Sequence, residues 1–322
     1  MKILFHANTL NFRGTTVAVT DYARYNQEVL GNESVIVYNE SLGYEKDMGT
    51  EAVVLHNLKQ RFKIECYKEG QLQKLIDKEK VDMAYFIRAG HREGDLVTNT
   101  KTAIHSVFQH YEPHGDRYAY ISEWLSNKMS DGKLPFVPHI VDLPEPKKDY
   151  REALGIRPDQ IIIGRLGGYF TFDIKFVKDY ITKLVHDNDT FVFLMMGTEP
   201  FVSHPNVKFI NEIHDVQRKA DFINTCDAML HARERGESFG LSIAEFLSLN
   251  KPVLAWNNGH DLNHLDMLKD SGLLYNDASH LNYMLHNLND FKQDWSARVS
   301  EFKPEIVMKK FNEVFLNDTT SI

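Results

Sequence analysis

Residues Gly236–Trp256 read GESFGLSIAEFLSLNKPVLAW and predict a turn, a helix and a buried strand in immediate succession. Ser238–Gly240 are small or turn-forming, and the apolar spacing over Ser242–Leu249 is typical of a helix. Pro252–Trp256 has the length and composition of a strand. A helix that starts directly after a turn presents free backbone N–H groups, which favour an anion such as phosphate. This stretch therefore predicts an α/β fold with an anion-binding turn.

The same alternation of short apolar runs and helical segments extends along the chain in both directions. It predicts parallel sheets covered on both faces by helices. In the first half the predicted elements are Lys2–Ala7, Val17–Leu30, Ser34–Tyr38, Leu72–Lys80, Met83–Ile87, Ala103–Phe108, Tyr118–Ile121 and Glu123–Met129. In the second half they are Ile161–Gly164, Ile174–His186, Phe191–Met196, Val207–Ile210, Asp215–Thr225 and Ala228–His231. Ligands of such sheets bind beyond the carboxyl ends of the strands, so the loops there are the candidates for function.

A proline-rich segment divides the two halves. Pro135–Tyr150 contains four prolines, which interrupt helices and strands. A length of 322 residues also fits two domains, each with its own core. We therefore predict a first domain over residues 1–143 and a second over 144–300, with a cleft between them, followed by a terminal segment over 301–322.

Composition excludes several classes of protein. The 37 basic and 45 acidic side chains give a net charge of −8, which argues against a protein that coats nucleic acid. The 43% hydrophobic content excludes a mainly disordered chain. The two cysteines, Cys66 and Cys226, have no paired spacing and predict a reducing compartment without disulfide or zinc site.

Membrane insertion is not expected from this sequence. The apolar run at Met1–Ala7 is too short for a signal peptide, and no window offers about 18 uninterrupted apolar residues. The basic pairs Lys147–Lys148 and Lys309–Lys310 favour at most peripheral contact with anionic lipid, and solvated surface is the more common explanation of such short pairs. We expect a soluble cytoplasmic protein.

Several motifs together resemble one enzyme family. Glu-x-Phe-Gly-x4-Glu, from Glu237 to Glu245, resembles the Glu-x7-Glu signature of retaining GT-B glycosyltransferases of the family 4 type. Further similar segments are ISEWLS at 121–126, FVPHIVDLPEP at 136–146, REALGI at 151–156 and IIIGRL at 161–166. The resemblance covers most of the second half and, more thinly, the first. It implies a GT-B fold with two Rossmann-like domains facing each other across a cleft, and a terminal helix near Glu305–Phe315 that packs back on the first domain.

The resemblance assigns roles to the two carboxylates. It implies that Glu237 lies against the donor sugar and that Glu245 binds the nucleotide ribose, as suits a group that accepts two hydroxyl protons. Backbone N–H groups of the turn between them would face sugar or phosphate: Ser238, Phe239, Gly240 and Leu241. The residues alone also fit a simpler alternative, in which Glu245 is a solvated helix residue and Glu237 a helix-dipole partner.

Arg165 is the predicted contact to the donor diphosphate. It precedes Gly167 and Gly168, whose backbone lets a phosphate approach. The family places a lysine soon after this arginine, whereas here the next lysine is the more distant Lys175. The groups that are able to complete the phosphate clamp are Lys175, Thr171, Arg233 and Arg235. The alternative for Arg165 is a weak surface ion pair.

Two further candidates lie in the first half. Gly14, within NFRGTT at Asn11–Thr16, partly resembles a glycine-rich loop near the donor phosphates. A turn with positive φ explains Gly14 equally well. His110, at the end of a strand predicted over Thr102–Gln109, resembles a histidine that approaches the transferred sugar.

Histidine and acidic side chains raise the alternative of a metal site. The two groups are His105, His110 and His114 with Glu112 and Asp116, and His260 and His264 around Asp261. The spacing of four in the first group suits one helix face, but Pro113 and Gly115 oppose a helix there. We expect no essential metal and no resident cofactor.

The resulting prediction is a retaining, metal-independent glycosyltransferase. It would move a sugar from a nucleotide diphosphate sugar to a hydroxyl of a glycan, lipid or small molecule. Two alternatives stay open: a sugar-nucleotide epimerase of similar fold, and a non-catalytic partner subunit that binds a sugar nucleotide.

Overall fold

Two parallel six-stranded sheets organise the chain, one in each half. The computed structural model describes residues 1–11, 14–43, 49–95, 97–211 and 215–317. The chain divides into a first unit of Met1–Ile140 with the chain from Phe302 onward, and a second unit of Val141–Glu301. Each unit is a parallel sheet with its own helices.

The first sheet has the strand order β3-β2-β1-β4-β5-β6. Its strands are β1 (Lys2–Ala7), β2 (Glu33–Asn39), β3 (Lys63–Tyr67), β4 (Met83–Arg88), β5 (Lys101–Ser106) and β6 (Arg117–Tyr120). The order changes direction between β1 and β4, which pair in register from Ile3 with Met83 to His6 with Phe86. Such a change opens a crevice at the carboxyl ends of the two strands.

Helices cover this sheet, so its inner strands are apolar without alternation. The helices of the first unit are α1 (Gly14–Glu28), α2 (Ala52–Lys59), α3 (Leu72–Glu79), α4 (Glu123–Ser130) and, near the chain end, α10 (Pro304–Phe311), which continues into a π-helical turn over Asn312–Leu316. The α10 residue Phe311 is fully buried. Its ring lies 5.2 Å from those of Tyr22 and Tyr85 and 6.3 Å from that of Phe5.

The second sheet has the strand order β14-β12-β10-β7-β8-β9. Its strands are β7 (Ile161–Leu166), β8 (Phe191–Met196), β9 (Val207–Ile210), β10 (Ala228–His231), β12 (Val253–Trp256) and β14 (Leu274–Tyr275). A small separate pair joins β11 (Gly236–Glu237) to β13 (Asp261–Leu262). The helices are α5 (Lys175–Asp187), α6 (Val216–Thr225), α7 (Leu241–Ser248), α8 (Asn263–Leu268) and α9 (Ala278–His286).

Some predicted element bounds differ from those observed. The strand predicted to reach Phe108 ends at Ser106, and β7 runs two residues beyond Gly164, to Leu166. The edge strand β3 (KIECY) was not predicted, because its residues are only partly buried and it lacks an apolar run. None of the helices in the described part of the chain is long and apolar enough to cross a membrane.

Replacing Phe311 with alanine tests how strongly α10 stabilises the first unit. Losing a ring buried against four other aromatic rings, those of Phe5, Tyr22, Tyr85 and Phe315, is expected to cost about 3–5 kcal/mol of unfolding free energy. Ile306→Ala, on the exposed side of the same helix, serves as the control, since its side chain is 51% exposed. Urea unfolding followed by tryptophan fluorescence and circular dichroism measures both variants. Equal stability of the two variants would contradict this packing.

Candidate functional site

Two of the predicted site residues of the second unit, Arg165 and Glu237, lie at the carboxyl-terminal edge of its sheet. Strands β8, β7, β10 and β12 are neighbours and run parallel, so their carboxyl ends share this edge. Arg165 lies near the end of β7, and Glu237 lies in the connection from β10 to α7. The edge is the place where a parallel sheet presents loops to a ligand.

Arg165 is buried, with 3% of its surface exposed, so the alternative of a surface ion pair is wrong. Five hydrogen bonds from its guanidinium end on neutral oxygens: Nη1 donates to Met196 O at 3.0 Å, to Gly197 O and to Thr198 Oγ1 at 2.9 Å, and Nη2 donates to Gly168 O at 2.9 Å and Thr171 Oγ1 at 2.7 Å. The side chain thereby ties the loop after β7 to the loop after β8. These five acceptors carry no negative charge.

The two glycines after Arg165 differ in how much space their surroundings leave for a side chain. A Cβ on Gly167 would lie 2.7 Å from Arg165 Nη2, so a larger residue would displace the guanidinium. A Cβ on Gly168 would meet Thr171 Cγ2 at 3.6 Å and Thr171 Oγ1 at 3.8 Å, both ordinary contacts. Gly167 is therefore required by packing around Arg165, whereas Gly168 contributes its carbonyl oxygen.

Lys175 does not join this network in the described part of the chain. It is the first residue of α5, its side chain is 86% exposed, and it forms an ion pair with Asp179 one turn along the helix. Thr171, in contrast, bonds Arg165 directly. The structure thus brings Thr171, and not Lys175, to the guanidinium.

The carboxylate of Glu237 is held by the side chains of His231 and Arg233. His231 Nε2 lies 3.2 Å from Oε1, and Arg233 Nη1 donates to Oε2 at 2.9 Å. Burial by itself raises the pKa of Glu237, but the hydrogen bond from His231 and the charges of His231 and Arg233 outweigh it and lower the pKa below the usual value. Glu237 is therefore a fixed, ionised carboxylate at the sheet edge.

A second histidine lies beside this carboxylate. The ring of His264 is 5.1 Å from that of His231, and its Nε2 lies 3.0 Å from the carbonyl oxygen of Trp256. Burial, with a smaller contribution from the charge of His231, lowers the pKa of His264 to about 4. The Nδ1 atoms of both histidines are buried without a hydrogen-bond partner. His231 was not predicted as a site residue, although a polar residue at the end of a buried strand is a pattern that indicates one.

The β11–β13 pair fixes the backbone on which Glu237 sits. Gly236 has a φ of 75°, and a Cβ there would collide with the carbonyl oxygen of Asp261. Arg235 Nε donates to Asp261 Oδ2 at 2.8 Å. Of the candidates for completing a phosphate clamp, Arg233 thus bonds Glu237 and Arg235 bonds Asp261.

The turn before α7 has the predicted form. Gly240 adopts a left-handed conformation with a φ of 96°, and Leu241 is the first residue of the helix. Phe239 is buried, and its carbonyl oxygen accepts a hydrogen bond from Asn263 Nδ2 at 2.7 Å. Ser238 is half-buried in the same turn. The hydrogen bond from the Asn263 side chain therefore anchors the backbone of the turn.

Glu245 is buried in α7, with 5% of its surface exposed, so the alternative of a solvated helix residue is wrong. Lys219 Nζ, from α6, donates to Oε1 at 2.6 Å. The other carboxylate oxygen, Oε2, receives no hydrogen bond from any residue in the described ranges. A buried carboxylate with one bonded and one unused acceptor oxygen is suited to bind a hydroxyl group.

The first-unit candidates occupy separate positions. His110 lies in the loop after β5 and not at a strand end; it is exposed, and its ring contacts that of His91 at 4.7 Å. Gly14 starts α1 with open space around it and without positive φ, so the alternative of a positive-φ turn is wrong. Phe12 and Arg13 of the NFRGTT segment lie outside the described residues.

The histidines considered as metal ligands do not gather. His105 is fully buried, with Nδ1 at 2.6 Å from the hydroxyl of Tyr85 and Nε2 at 2.8 Å from the carbonyl oxygen of Val137. His114 Nδ1 lies 2.7 Å from the carbonyl oxygen of Glu112. No group of three or more histidine, cysteine or acidic side chains is placed to hold a metal within the described ranges.

Comparison with known proteins identifies the fold. No protein-family model and no curated protein sequence matches this chain. Among solved structures it is similar to HepE of Anabaena in complex with UDP-glucose, with 14% identity, a TM-score of 0.72 and coverage of 97% of this chain and 98% of that one. It is also similar to a glycosyltransferase from Rickettsia africae, with 14% identity, a TM-score of 0.67 and coverage of 98% and 99%. A third similar structure is a putative UDP-N-acetylglucosamine 2-epimerase from Listeria monocytogenes, with 12% identity, a TM-score of 0.61 and coverage of 96% and 94%.

The predicted fold class is confirmed. The chain has the GT-B fold, with two Rossmann-like α/β domains that each contain a six-stranded parallel sheet. At 12–14% identity these similarities concern the fold. The chemistry has to be argued from the site itself.

Gly167→Ala tests whether Arg165 is fixed as the hydrogen bonds indicate. The added methyl group would push against Nη2 and break the bonds to Gly168 and Thr171, so we expect a loss of about 1–3 kcal/mol of stability. Gly168→Ala, where the methyl group has room, is the matched control. Thermal unfolding of the two variants gives the comparison. If Gly167→Ala melts with Gly168→Ala and the wild type, the guanidinium is not held in this position.

Proposed function

We propose that this protein is a retaining glycosyltransferase that moves a sugar from a nucleotide diphosphate sugar to an acceptor hydroxyl. The second unit holds the donor and the first provides the acceptor site. The observation that carries the proposal is the pair of anchored carboxylates, Glu237 and Glu245, which follow β10 at the sheet edge where Arg165 is buried. The GT-B fold and its similarity to HepE, which was crystallised with UDP-glucose, support the same conclusion.

In this proposal Glu245 binds the nucleotide ribose. Lys219 fixes the orientation of the carboxylate through Oε1. The unused Oε2 then accepts a ribose hydroxyl proton. A hydrogen bond to an ionised acceptor contributes about 1.5–3 kcal/mol, enough to matter for nucleotide affinity.

The departing diphosphate is stabilised by the edge of the sheet. Arg165 supplies a positive charge that the surrounding carbonyl and hydroxyl oxygens do not neutralise, and Gly167, Gly168 and Thr171 supply the loop beside it. The N–H groups of Ser238, Phe239, Gly240 and Leu241 add their dipoles at the start of α7. Such pre-oriented charges and dipoles lower the barrier because they need no rearrangement during the reaction. The proposed reaction needs no metal cofactor.

Glu237 positions the sugar in this scheme. His231 and Arg233 hold its carboxylate, so its negative charge faces the positive charge that develops at the anomeric carbon. We assign it no covalent role.

A sugar-nucleotide epimerase is the second candidate, favoured by the similarity to the putative epimerase from Listeria monocytogenes. Both reactions need the same donor site, so binding does not separate them. Incubation with a bound sugar nucleotide, with and without a mixture of sugar and glycoside acceptors, does. A changed sugar nucleotide without any acceptor would establish the epimerase, whereas a glycoside that forms only with acceptor would establish the transferase.

The donor site is tested by binding. Selective stabilisation by one of UDP, GDP or ADP, without metal, is expected because a ligand of the folded state raises the melting temperature. Glu245→Gln should weaken that nucleotide about 10- to 100-fold, measured by calorimetry. The double variant Glu245→Gln with Lys219→Met serves as a control for the buried lysine left unpaired by the single change.

The two outcomes of this test are distinct. Equal affinity in the wild type and both variants would contradict the role of Glu245. If none of the nucleotides binds the wild-type protein, the donor site and the proposed function are both wrong.

A further inference from the structure

A second buried arginine lies in the first unit and has no use in the function proposed above. Arg88 is the last residue of β4, and only 7% of its surface is exposed. Its Nε is fully buried without a hydrogen-bond partner. Neither a hydrogen bond nor an ion pair joins its guanidinium to any residue in the described ranges. A buried cation without a partner costs free energy, so a fold that keeps one has a reason outside its own packing.

The surroundings of Arg88 show where its charge is directed. The guanidinium lies over the ring of Phe86, with 4.3 Å from Cζ to the ring centroid. The ring of His6, on β1, lies 5.0 Å from that same Phe86 ring. Because β1 and β4 flank the change of direction in the strand order, this cluster of Arg88, Phe86 and His6 occupies the crevice where open α/β sheets bind ligands.

A second unpartnered group belongs to the cluster. His6 is 1% exposed, and its Nδ1 has no hydrogen-bond partner, whereas its Nε2 lies 2.6 Å from the hydroxyl of Tyr67. Burial, together with the charge of Arg88, lowers the pKa of His6 to about 3, so the imidazole is neutral at physiological pH. A fixed cation and a neutral imidazole, each with an unused polar atom, form a site for an anion that also carries hydrogen-bonding groups.

The charge nearby favours a singly charged ligand. Glu93 and Asp95 follow β4, and their negative charges act on Arg88 from beyond ion-pair distance. Both carboxylates are engaged elsewhere: Glu93 accepts from the Ala89 N–H at 3.0 Å, and Asp95 accepts from the N–H of Leu72, at the start of α3, at 3.1 Å. They offset part of the field of Arg88, so the remaining attraction has to outweigh the cost of removing the ligand from water, and that cost is larger for a phosphate dianion than for a carboxylate.

We propose that Arg88 binds the carboxylate of an acidic acceptor, such as a uronic acid, at the carboxyl ends of β1 and β4. A planar guanidinium pairs with a carboxylate through two parallel hydrogen bonds, and its two terminal nitrogens are the groups left for this purpose. The naming of this ligand as the acceptor rests on the glycosyltransferase function. The anion site itself rests on the first unit alone.

The test compares three probes on the wild-type protein without donor. Methyl β-glucuronoside carries the carboxylate, methyl β-glucoside is its neutral counterpart, and glucose 6-phosphate is the dianion. Saturation-transfer NMR measures their affinities in the millimolar range. We expect the glucuronoside to bind at least about tenfold more tightly than the glucoside, as one charge-assisted pair provides. Equal affinity for these two, or tighter binding of glucose 6-phosphate, would overturn the assignment.

Arg88→Met separates a ligand site from a structural role. The variant should lose the preference for the glucuronoside, while its ligand-free form should melt about 2–4 °C higher because an unpaired buried cation is gone. Arg92→Met is the matched control, since Arg92 lies in the same loop region with a side chain 66% exposed, and should change neither property. A lower melting temperature for Arg88→Met than for Arg92→Met would show that Arg88 stabilises the fold, and the proposal would fall. Arg88→Lys, which keeps the charge but loses the planar fork, should retain only part of the preference.

Failure of this inference is distinguishable from failure of the donor site. Nucleotide affinity of Arg88→Met should equal that of the wild type, because the nucleotide contacts proposed above are made by other residues, Glu245 and Arg165. Carboxylate preference without any nucleotide binding would refute the glycosyltransferase and leave the anion site. Nucleotide binding without carboxylate preference would refute the anion site and leave the proposed donor site intact.

Discussion

The burial of the Arg165 guanidinium beneath the loops after β7 and β8 is the constraint on which this edge of the second sheet depends. One guanidinium holds both loops through carbonyl and hydroxyl oxygens, and its position requires glycine at 167. These five acceptors are uncharged oxygen atoms of the two loops. A carboxylate in their place would have fixed the arginine equally well but would have paired its positive charge.

The buried charges of this protein are balanced in three different ways. Arg165 has neutral acceptors, Glu245 has the counter-ion Lys219, and Arg88 has no polar partner within the described ranges. The first arrangement orders a loop and the second fixes the orientation of a carboxylate. In the third arrangement, the cost of burying the Arg88 guanidinium is not offset by a hydrogen bond or an ion pair within the described ranges. Arg88 is therefore the residue that most directly indicates a ligand.

Much of the fold was predictable from the sequence because parallel strands buried on both faces produce continuous apolar runs. The bounds of β1, β8 and β10 agree with those predicted, and the helix α7 differs by one residue at each end. The prediction was poorer where burial is partial, as in β3, or where strands are very short, as in β11 and β13. Two-residue strands depend on contacts between distant segments, and no local pattern encodes them.

The site shows the same division between local and distant information. Glu237 and Glu245 lie in one short segment with a recognisable spacing, so both were predicted from the sequence as site residues. Their partners His231 and Lys219 come from β10 and α6 and are recognised only once the chain is folded. Arg88 illustrates the limit most clearly, since nothing in MAYFIR marks its arginine as unpaired. The interpretation of Arg88 as a binding residue depends on its surroundings: His6 lies on the adjacent strand, and the carboxylates of Glu93 and Asp95 bond other groups. These relations exist only in the three-dimensional structure and not in any sequence motif.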